Sequence, residues 1–526
     1  MESPWLQQSF FQPEWAKPLW NNVKEKELWN EQGMPSAVLL AGLFFVVLIN
    51  LNAYSRTVTG GKLPTVHSYL PFIGSVIEYH KNSHGLLSKC QDKYGSAFNM
   101  RVLWGTVTVL CDELGIKNTF RDKHKSLNTY YAHDVAHKGI GLVKNAAHLA
   151  VDRLFPIYAK HFASMDGMTA VAVAYNREAF SLTTALAKDL GDSTKVYPLR
   201  EVFSKKIYFA SCKSIFGERY PIENYSDYLV VDENFISVMT PIPFFGGKAK
   251  SARDRLKKSV EEYIAEVGKG STLEGASEAM NEIYAAVKEQ GLSPQDEAGI
   301  VLAGIWAVNS NTGNTLNSLF SFLLSDPKSF MMVRNEMDKV IESKYDGKIE
   351  SLLAAPPTSL SSTDFPLLES AVKETLRMIV LSLSPRQAHK ETTITYGDGS
   401  TVNIAKGQFI MLSLGGAHRG GSFVDGRKFS LTRYVATDTD GTDRRVPPFW
   451  GFGEGAHLCK GRYFALHEIK LFFILTAWYF DMALVDSNGN PVRELPPFDP
   501  GNPGAIRPPK DLSVRISRRK SPVGKV

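Results

Sequence analysis

The stretch Phe452-Gly453-Glu454-Gly455-Ala456-His457-Leu458-Cys459-Lys460-Gly461 decides the fold. It places a single cysteine in a glycine-rich loop, and the amphipathic run that begins at Tyr463 predicts a helix directly after it. Glycines let a backbone turn tightly and pass close to a flat ligand. Amides near a helix start donate hydrogen bonds to sulfur and favour the thiolate, which is the form that binds metals. We therefore predict that Cys459 is a metal ligand; the alternative is a buried structural cysteine in a turn.

As a pattern, the stretch is Phe-x-x-Gly-x-x-x-Cys-x-Gly, with fixed positions Phe452, Gly455, Cys459 and Gly461. This pattern resembles the haem-binding signature of the cytochrome P450 family. The resemblance implies a mainly α-helical fold with small β-sheets. It also implies haem b with the Cys459 thiolate as axial ligand of the iron, and it makes His457 a partner for a haem propionate.

A second motif extends the resemblance upstream. Glu374 and Arg377 are three residues apart, so a helix places them on one face. They resemble the family's Glu-x-x-Arg motif, and Phe429–Tyr434 resembles the segment that supplies a second arginine, Arg433. The resemblance implies an ion-pair cluster of these three residues behind the haem. A solvated surface pair of little energetic consequence is the alternative.

Two arginines are candidates for the haem propionates, because buried carboxylates need cationic partners. Arg386 resembles the propionate-binding arginine of the strand that follows the Glu-x-x-Arg helix. Arg153 lies in the region of the family's Trp-x-x-x-Arg contact, although no tryptophan precedes it here. For both residues, an ordinary surface base is the alternative.

The residues from Gln295 to Leu324 are predicted to form one long helix, and its centre departs from the family pattern. Most monooxygenases of the family carry an acid followed by a threonine there, a pair that delivers protons during dioxygen cleavage. Ser310 and Asn311 fall on those two positions, so we predict that Ser310, Asn311 and Thr312 are the catalytic residues and order water. The alternative is that the asparagines only satisfy a helix kink.

The stretch around Trp306 is similar to the sterol 7α- and 12α-hydroxylases and to prostacyclin synthase. That group includes oxygenases and an oxygen-independent isomerase. The resemblance therefore leaves both reaction types open.

Three shorter elements are predicted around these motifs. Pro327 to Lys344 is predicted to be a helix capped by Asp326, and Ala354 to Pro366 a loop. A strand pair is predicted from Thr392 to Leu412, turning at Gly397-Asp398-Gly399.

The N-terminal part divides into an extension (1–31), an apolar segment (32–55) and a proline-rich hinge (56–74). The apolar segment has no charged residue, and at about 1.5 Å per residue it can cross a hydrocarbon core of about 30 Å. It therefore predicts a single transmembrane anchor in contact with membrane lipid. Residues 75–526 are predicted to form one catalytic domain.

Composition and sequence motifs limit the classes of partner that this chain can have. The four cysteines show no disulfide framework and fit a reducing compartment, and a net charge of +6 is too small to indicate nucleic-acid binding. No strand-anchored Gly-x-Gly-x-x-Gly is present, so electrons must come from another protein. The resemblance implies an NADPH-dependent flavoprotein reductase at the endoplasmic reticulum, with the catalytic domain in the cytosol. Its predicted docking face includes Lys460, Arg462 and Lys470, for which ordinary surface charge is the alternative.

Three functions follow from the sequence. The first is a haem-thiolate monooxygenase that oxidises a lipophilic small molecule of the sterol or terpenoid kind. The second is a haem-thiolate isomerase that rearranges a reactive substrate without oxygen or NADPH. The third is a non-catalytic haem or lipid carrier, against which the complete set of Glu374, Arg377 and Arg433 argues.

Overall fold

A computed structural model describes residues 63–66, 74–102, 105–122, 126–129, 131–239, 246–380, 383–437, 443–455, 458–498 and 505–520. The predicted extension (1–31), the predicted anchor (32–55) and most of the hinge (56–74) lie outside these ranges. Within them, no helix is both long and apolar enough to cross a membrane.

Helices dominate the described chain, as predicted. Two of the short helices continue directly into π-helical turns, Val135–Gly139 and Leu149–Arg153. The α-helices are α1 (Val76–Tyr94), α2 (Glu113–Phe120), α3 (Tyr131–Asp134), α4 (Lys144–His148), α5 (Phe155–Phe162), α6 (Met165–Leu190), α7 (Leu199–Val202), α8 (Ser204–Phe216), α9 (Tyr225–Glu233), α10 (Phe235–Met239), α11 (Gly247–Val267), α12 (Glu278–Lys288), α13 (Pro294–Ser325), α14 (Pro327–Tyr345), α15 (Ile349–Ala354), α16 (Pro366–Ile379), α17 (Leu414–Ala417) and α18 (Arg462–Tyr479).

The strands form small sheets at the edge of the helical body. A five-stranded sheet has the order β1-β2-β10-β7-β3, a three-stranded sheet has the order β11-β12-β4, and β5-β6 and β8-β9 are hairpins. The strands are β1 (Ala97–Val102), β2 (Gly105–Leu110), β3 (Leu127–Asn128), β4 (Thr194–Pro198), β5 (Gly268–Lys269), β6 (Thr272–Leu273), β7 (Leu383–Ala388), β8 (Thr392–Thr395), β9 (Thr401–Ile404), β10 (Phe409–Ser413), β11 (Phe480–Val485) and β12 (Ser513–Arg518).

Helix α13 runs through the middle of the helical body and packs against α8, α11, α16 and α18. It begins at Pro294 because the Ser293 side chain accepts a hydrogen bond from the Asp296 amide and caps the first turn. It ends at Ser325, two residues before the proline that opens α14. The predicted helix from Gln295 to Leu324 is thus confirmed to within one residue at each end. Because α13 packs against helices on several sides, we take any accessible face in its centre to border an internal space.

The predictions for the shorter elements have different outcomes. Helix α14 is confirmed, and Asp326 caps it by accepting from the Lys328 amide. The hairpin β8-β9 is confirmed, but the extension of that strand pair to Leu412 is wrong. The backbone turns at Gly407, which has a positive φ, and β10 then joins the five-stranded sheet between β2 and β7. The predicted loop from Ala354 to Pro366 contains a single 3₁₀ turn at Pro357–Leu360.

Candidate active site

The cysteine loop folds back on itself just before α18. The Cys459 amide donates to the Phe452 carbonyl at 3.0 Å, and the Leu458 amide donates to the Gly455 carbonyl at 3.2 Å. Gly455 has a φ of +72°, and a Cβ there would lie 2.7 Å from the Phe120 carbonyl oxygen. Both the backbone angle and the close approach therefore require glycine at this position.

Gly461, the residue before α18, has a different reason to be glycine. Its φ is −81°, which any residue adopts, and a Cβ there would meet no atom of the described residues within 4 Å. Gly461 lies in the turn before α18, but its φ does not require glycine there. A flat group lying close to the loop beside Cys459 would use the space that a side chain at 461 would fill.

Cys459 differs from the other cysteines in its accessibility. All four lie in the described ranges, and Cys90, Cys111 and Cys212 are buried whereas Cys459 is exposed. Burial raises the pKa of the Cys90 thiol to about 11 and that of Cys111 to about 12, so both remain neutral thiols. Only Cys459 can reach a ligand without rearrangement of the core.

The ionisation of Cys459 is held between opposing effects. Burial among protein atoms raises the pKa of its thiol, although the side chain is accessible at the surface of the described residues. The Gly461 amide, followed by the charges of Arg462 and Lys460, acts in the opposite direction. A metal cation would complete the stabilisation of the thiolate.

Behind this loop, the structure brings together Glu374, Arg377 and Arg433. Arg377 Nε lies 2.7 Å from Glu374 Oε2 and Arg377 Nη2 lies 2.9 Å from Oε1, while Arg433 Nε lies 3.0 Å from both oxygens. Glu374 and Arg377 are fully buried, so this is not a solvated surface pair. Arg377 also donates to the carbonyls of His418 and Lys428. The cluster therefore ties α16 to the loop that precedes the cysteine stretch.

The two predicted propionate arginines lie in different environments. Arg386 is buried on β7, with its guanidinium over the Phe120 ring. Among the described residues this guanidinium donates to Ser384 Oγ and the Pro385 carbonyl. Within the described ranges no carboxylate pairs with Arg386, and burial lowers its pKa to about 10. Arg153 is exposed and donates to Gln290 Oε1 at 3.2 Å.

Phe120 links Arg386 to the cysteine loop, because its ring contacts the guanidinium and its carbonyl lies against Gly455. A buried cation without a protein carboxylate is expensive unless an anionic ligand approaches it. Arg386 therefore fits a haem propionate. His457 lies outside the described residues.

In α13, the accessible positions recur every four residues. Ala307 and Asn311 are exposed and Ala303 is half-buried, in the centre of a helix that is otherwise mostly buried. The side-chain amide of Asn311 makes no hydrogen bond to the described part of the chain. Asn311 is therefore the predicted catalytic residue that faces the internal space directly.

The other polar side chains of this turn bind the helix backbone. Thr312 Oγ1 donates to the Val308 carbonyl at 2.8 Å, and Asn309 Nδ2 donates to the Ile305 carbonyl at 2.9 Å. The hydroxyl bond of Thr312 to the carbonyl four residues earlier is of the kind that bends helices. Thr312 is buried and engaged in this way, so the structure gives it a backbone role rather than access to the internal space.

Ser310 contacts a carboxylate that sequence reasoning missed. Its hydroxyl donates to Asp232 Oδ1, and Trp306 Nε1 donates to the same oxygen at 3.2 Å. Asp232 belongs to α9 and forms a buried ion pair with Arg507. Nothing in the stretch around Asp232 marks it, since its partners lie far away in the sequence.

The predicted reductase-docking face is wrong in one of its three residues. Lys470 is buried in α18, where its ammonium lies 3.0 Å from Glu369 Oε2 and also binds the Leu360 carbonyl. Its charge is therefore neutralised inside the protein. Lys460 and Arg462 are half-buried beside the cysteine loop, with Lys460 Nζ 4.3 Å from the centre of the Phe155 ring.

Comparisons with known proteins agree with this geometry. A sequence model of the family described as Cytochrome P450 matches residues 64–514. Prostacyclin synthase of Rattus norvegicus is 22% identical over 87% of this chain and 94% of its own length. The 7-alpha-hydroxycholest-4-en-3-one 12-alpha-hydroxylase of Homo sapiens is 24% identical over 85% of this chain and 91% of its own length.

Two further similarities are more limited. One covers a shorter segment of the chain, and the other concerns the fold alone. Cytochrome P450 7A1 of Sus scrofa is 33% identical over 43% of this chain and 46% of its own length. The solved structure of retinoic acid bound cyanobacterial CYP120A1 superimposes with a TM-score of 0.67 at 19% identity, covering 87% of this chain and 99% of that one.

Proposed function

The chain belongs to the cytochrome P450 family, and from that premise we propose that Cys459 binds the haem iron and that the enzyme oxidises a lipophilic small molecule. Membership makes it an oxidoreductase of monooxygenase type that carries haem on a cysteine thiolate. The observation that carries the assignment to Cys459 is its accessibility, since the other three cysteines are buried.

The chain's own residues have distinct tasks around the haem. Arg386 binds a propionate with a guanidinium that no described carboxylate neutralises, and His457 contributes a second propionate contact. Phe452 and Gly455 hold the loop closed, and Gly461 admits the macrocycle. We assign no propionate contact to Arg153, because its guanidinium is exposed and bonded to Gln290.

When bound, the haem supplies reductive activation of dioxygen, with the balance RH + O₂ + NADPH + H⁺ → ROH + H₂O + NADP⁺. The electrons come from an NADPH-dependent flavoprotein reductase. We place the enzyme on the endoplasmic reticulum, anchored by residues 32–55 with the catalytic domain in the cytosol; the uncharged sequence of that segment supports this. The substrate class is sterol-like or terpenoid, because a sterol hydroxylase is among the relatives and a membrane-anchored enzyme meets lipophilic compounds.

The test is a pair of cysteine variants with a reconstituted reductase. Cys459→Ala should lose the haem-thiolate absorption spectrum and all turnover, because no other accessible thiolate is present. The control Cys90→Ala should keep both, since the Cys90 thiol is buried and neutral. A normal spectrum in Cys459→Ala would refute the ligand assignment.

A second candidate function is the oxygen-independent isomerase. Ser310 and Asn311 in place of an acid and a threonine, together with the similarity to prostacyclin synthase, favour it. Mass spectrometry of products from sterols, terpenoids and lipid peroxides separates the two. A product heavier by one oxygen that requires NADPH supports the monooxygenase, and an isomer formed without NADPH supports the isomerase. If the haem-loaded protein transforms none of these compounds, the result supports the non-catalytic haem or lipid carrier.

A further inference from the structure

The carboxylate of Asp232 lies where α9 meets the centre of α13. It is buried, and Arg507, also buried, donates from Nη2 both to its carboxylate and to its main-chain carbonyl. On its other side the carboxylate accepts the Ser310 hydroxyl. Ser310 directly precedes Asn311, the residue exposed to the internal space. A single hydroxyl group, that of Ser310, therefore separates Asp232 from the turn of α13 that carries Asn311. We call this turn the distal side of the site.

A small polar cavity adjoins the same carboxylate. Its volume is about 20 Å³, and Asp232 and Ser310 are among its lining residues. A water molecule needs roughly 10–15 Å³ of such space and two to four polar partners. The cavity is therefore large enough to hold water against Asp232.

Three residues that line this cavity each carry a buried polar atom without a hydrogen-bond partner among the described residues: Arg200 Nε, Tyr225 Oη and Asn309 Oδ1. Buried polar atoms nearly always have a partner, from protein or from ordered water. Their grouping around one cavity is independent of the Asp232 contacts, and it favours ordered water as the missing partner.

From the cavity, charged groups continue to the surface. Arg200 Nη1 pairs with Glu233, and Glu233 Oε2 lies 2.7 Å from Lys510 Nζ, which is exposed. Charged side chains thus lead from solvent through Lys510 and Glu233 to Arg200 at the cavity wall, although the Arg200 guanidinium stays charged and relays no proton itself.

We propose that Asp232 supplies the carboxylate that α13 lacks, and that protons reach the distal side through cavity water, Asp232 and the Ser310 hydroxyl. The inference rests on the proposed monooxygenase. A serine hydroxyl has one donor and two acceptor sites, so Ser310 can give a proton toward Asn311 and regain one from Asp232. In each cycle Asp232 takes one proton from the cavity water and passes it to Ser310 as Ser310 releases its own. Asp232 therefore ends the cycle as the carboxylate that pairs with Arg507, and the water regains its proton from solvent. Asp232 acts through Ser310, so it is a positioning residue.

The partition of products reports on this route. Productive turnover gives ROH and H₂O, whereas the unproductive reaction is O₂ + NADPH + H⁺ → H₂O₂ + NADP⁺. Both consume one proton from solvent for each NADPH, so the ratio depends on where protons are delivered and not on their supply. Loss of a general acid–base group costs about 10²–10⁴-fold in rate.

The experiment compares Asp232→Asn with Asp338→Asn in the full chain with its reductase. Asp338 is also a buried aspartate paired with an arginine, Arg519, at 2.6 Å, but it lies on α14. Asp232→Asn should lower product per NADPH by on the order of 100-fold, raise peroxide to nearly one per NADPH, and change the solvent deuterium isotope effect. Asp338→Asn should lose stability with unchanged coupling. Ser310→Ala, which leaves the Asp232–Arg507 pair in place, should behave as Asp232→Asn does.

A second readout does not depend on turnover. A crystal structure should show ordered water bonded to Tyr225 Oη or Arg200 Nε, and a dry cavity would overturn the proposal. Coupled turnover in Asp232→Asn would overturn the relay alone. A wild-type enzyme that forms product without NADPH would overturn the relay together with the monooxygenase.

Discussion

At the scale of single residues, Gly455 and Gly461, the two glycines that flank Cys459, are required for different structural reasons. Gly455→Ala places a Cβ 2.7 Å from the Phe120 carbonyl at a φ of +72°, so it should lower the free energy of unfolding by about 1–3 kcal/mol. Gly461→Ala meets no described atom, so it should leave the thermal stability of the haem-free chain unchanged and lower haem content. Thermal unfolding and the haem-to-protein ratio of both variants measure this. Normal haem content in Gly461→Ala would show that no macrocycle approaches that position.

Residue patterns predicted the local parts of the site, and the family resemblance added the distant Arg433. The cysteine loop and the Glu374–Arg377 pair are read from short spacings, because a loop before a helix and a three-residue helical step fix their geometry. Asp232 could not be predicted, since its contacts to Ser310 and Arg507 join segments that only the tertiary packing brings together. Lys470 was misplaced for a related reason: its burial depends on Glu369 of another helix.

At the scale of elements, α13 combines accessible and backbone-bound asparagines within one turn. Asn311→Ala should retain haem and stability but impair catalysis, because the Asn311 side chain is exposed to the internal space. Asn309→Ala should lower the free energy of unfolding by about 1 kcal/mol, because it removes the bond to the Ile305 carbonyl. Urea unfolding and product rate in parallel separate the two roles. Unchanged product and rate in Asn311→Ala would reduce that residue to a structural one.

The long elements were predictable and the sheet partners were not. Helices α13 and α14 carry caps and prolines at their starts, which fix their bounds locally. The pairing of β10 with β2 and β7 is non-local, so the period of the sequence between Thr392 and Leu412 could not distinguish it from a continued hairpin.

At the scale of the whole molecule, buried histidines make stability depend on pH. Burial lowers the pKa of His418 and of His467 to about 3 from the ordinary value of 6.5. Both stay neutral when folded, so the unfolded chain binds more protons below pH 6.5 and stability falls as pH falls toward 3. Each histidine contributes a slope of about 1.4 kcal/mol per pH unit. Glu468 acts in the opposite direction above its ordinary value of 4.5, because burial raises its pKa.

A difference measurement isolates one histidine from these opposing groups. The free energy of unfolding of the wild type minus that of His418→Gln should decrease by about 1.4 kcal/mol for each pH unit between 6 and 4. Glutamine keeps an acceptor for the Trp450 amide that His418 Nε2 binds at 3.1 Å. A difference that is constant with pH would show that His418 titrates normally in the folded protein.

The placement of Asp232 on α9 has a mechanical consequence. An acid and an alcohol on one helix keep their separation through the helix itself, whatever the surrounding elements do. Here the two oxygens belong to α9 and α13, so the packing of these helices and the Arg507 contact to Asp232 set the gap between them. A small outward shift of α9 would break the Ser310–Asp232 contact while leaving both helices intact. The rate of substrate oxidation would then depend on the position of α9, so catalysis would be coupled to how closely α9 packs against α13.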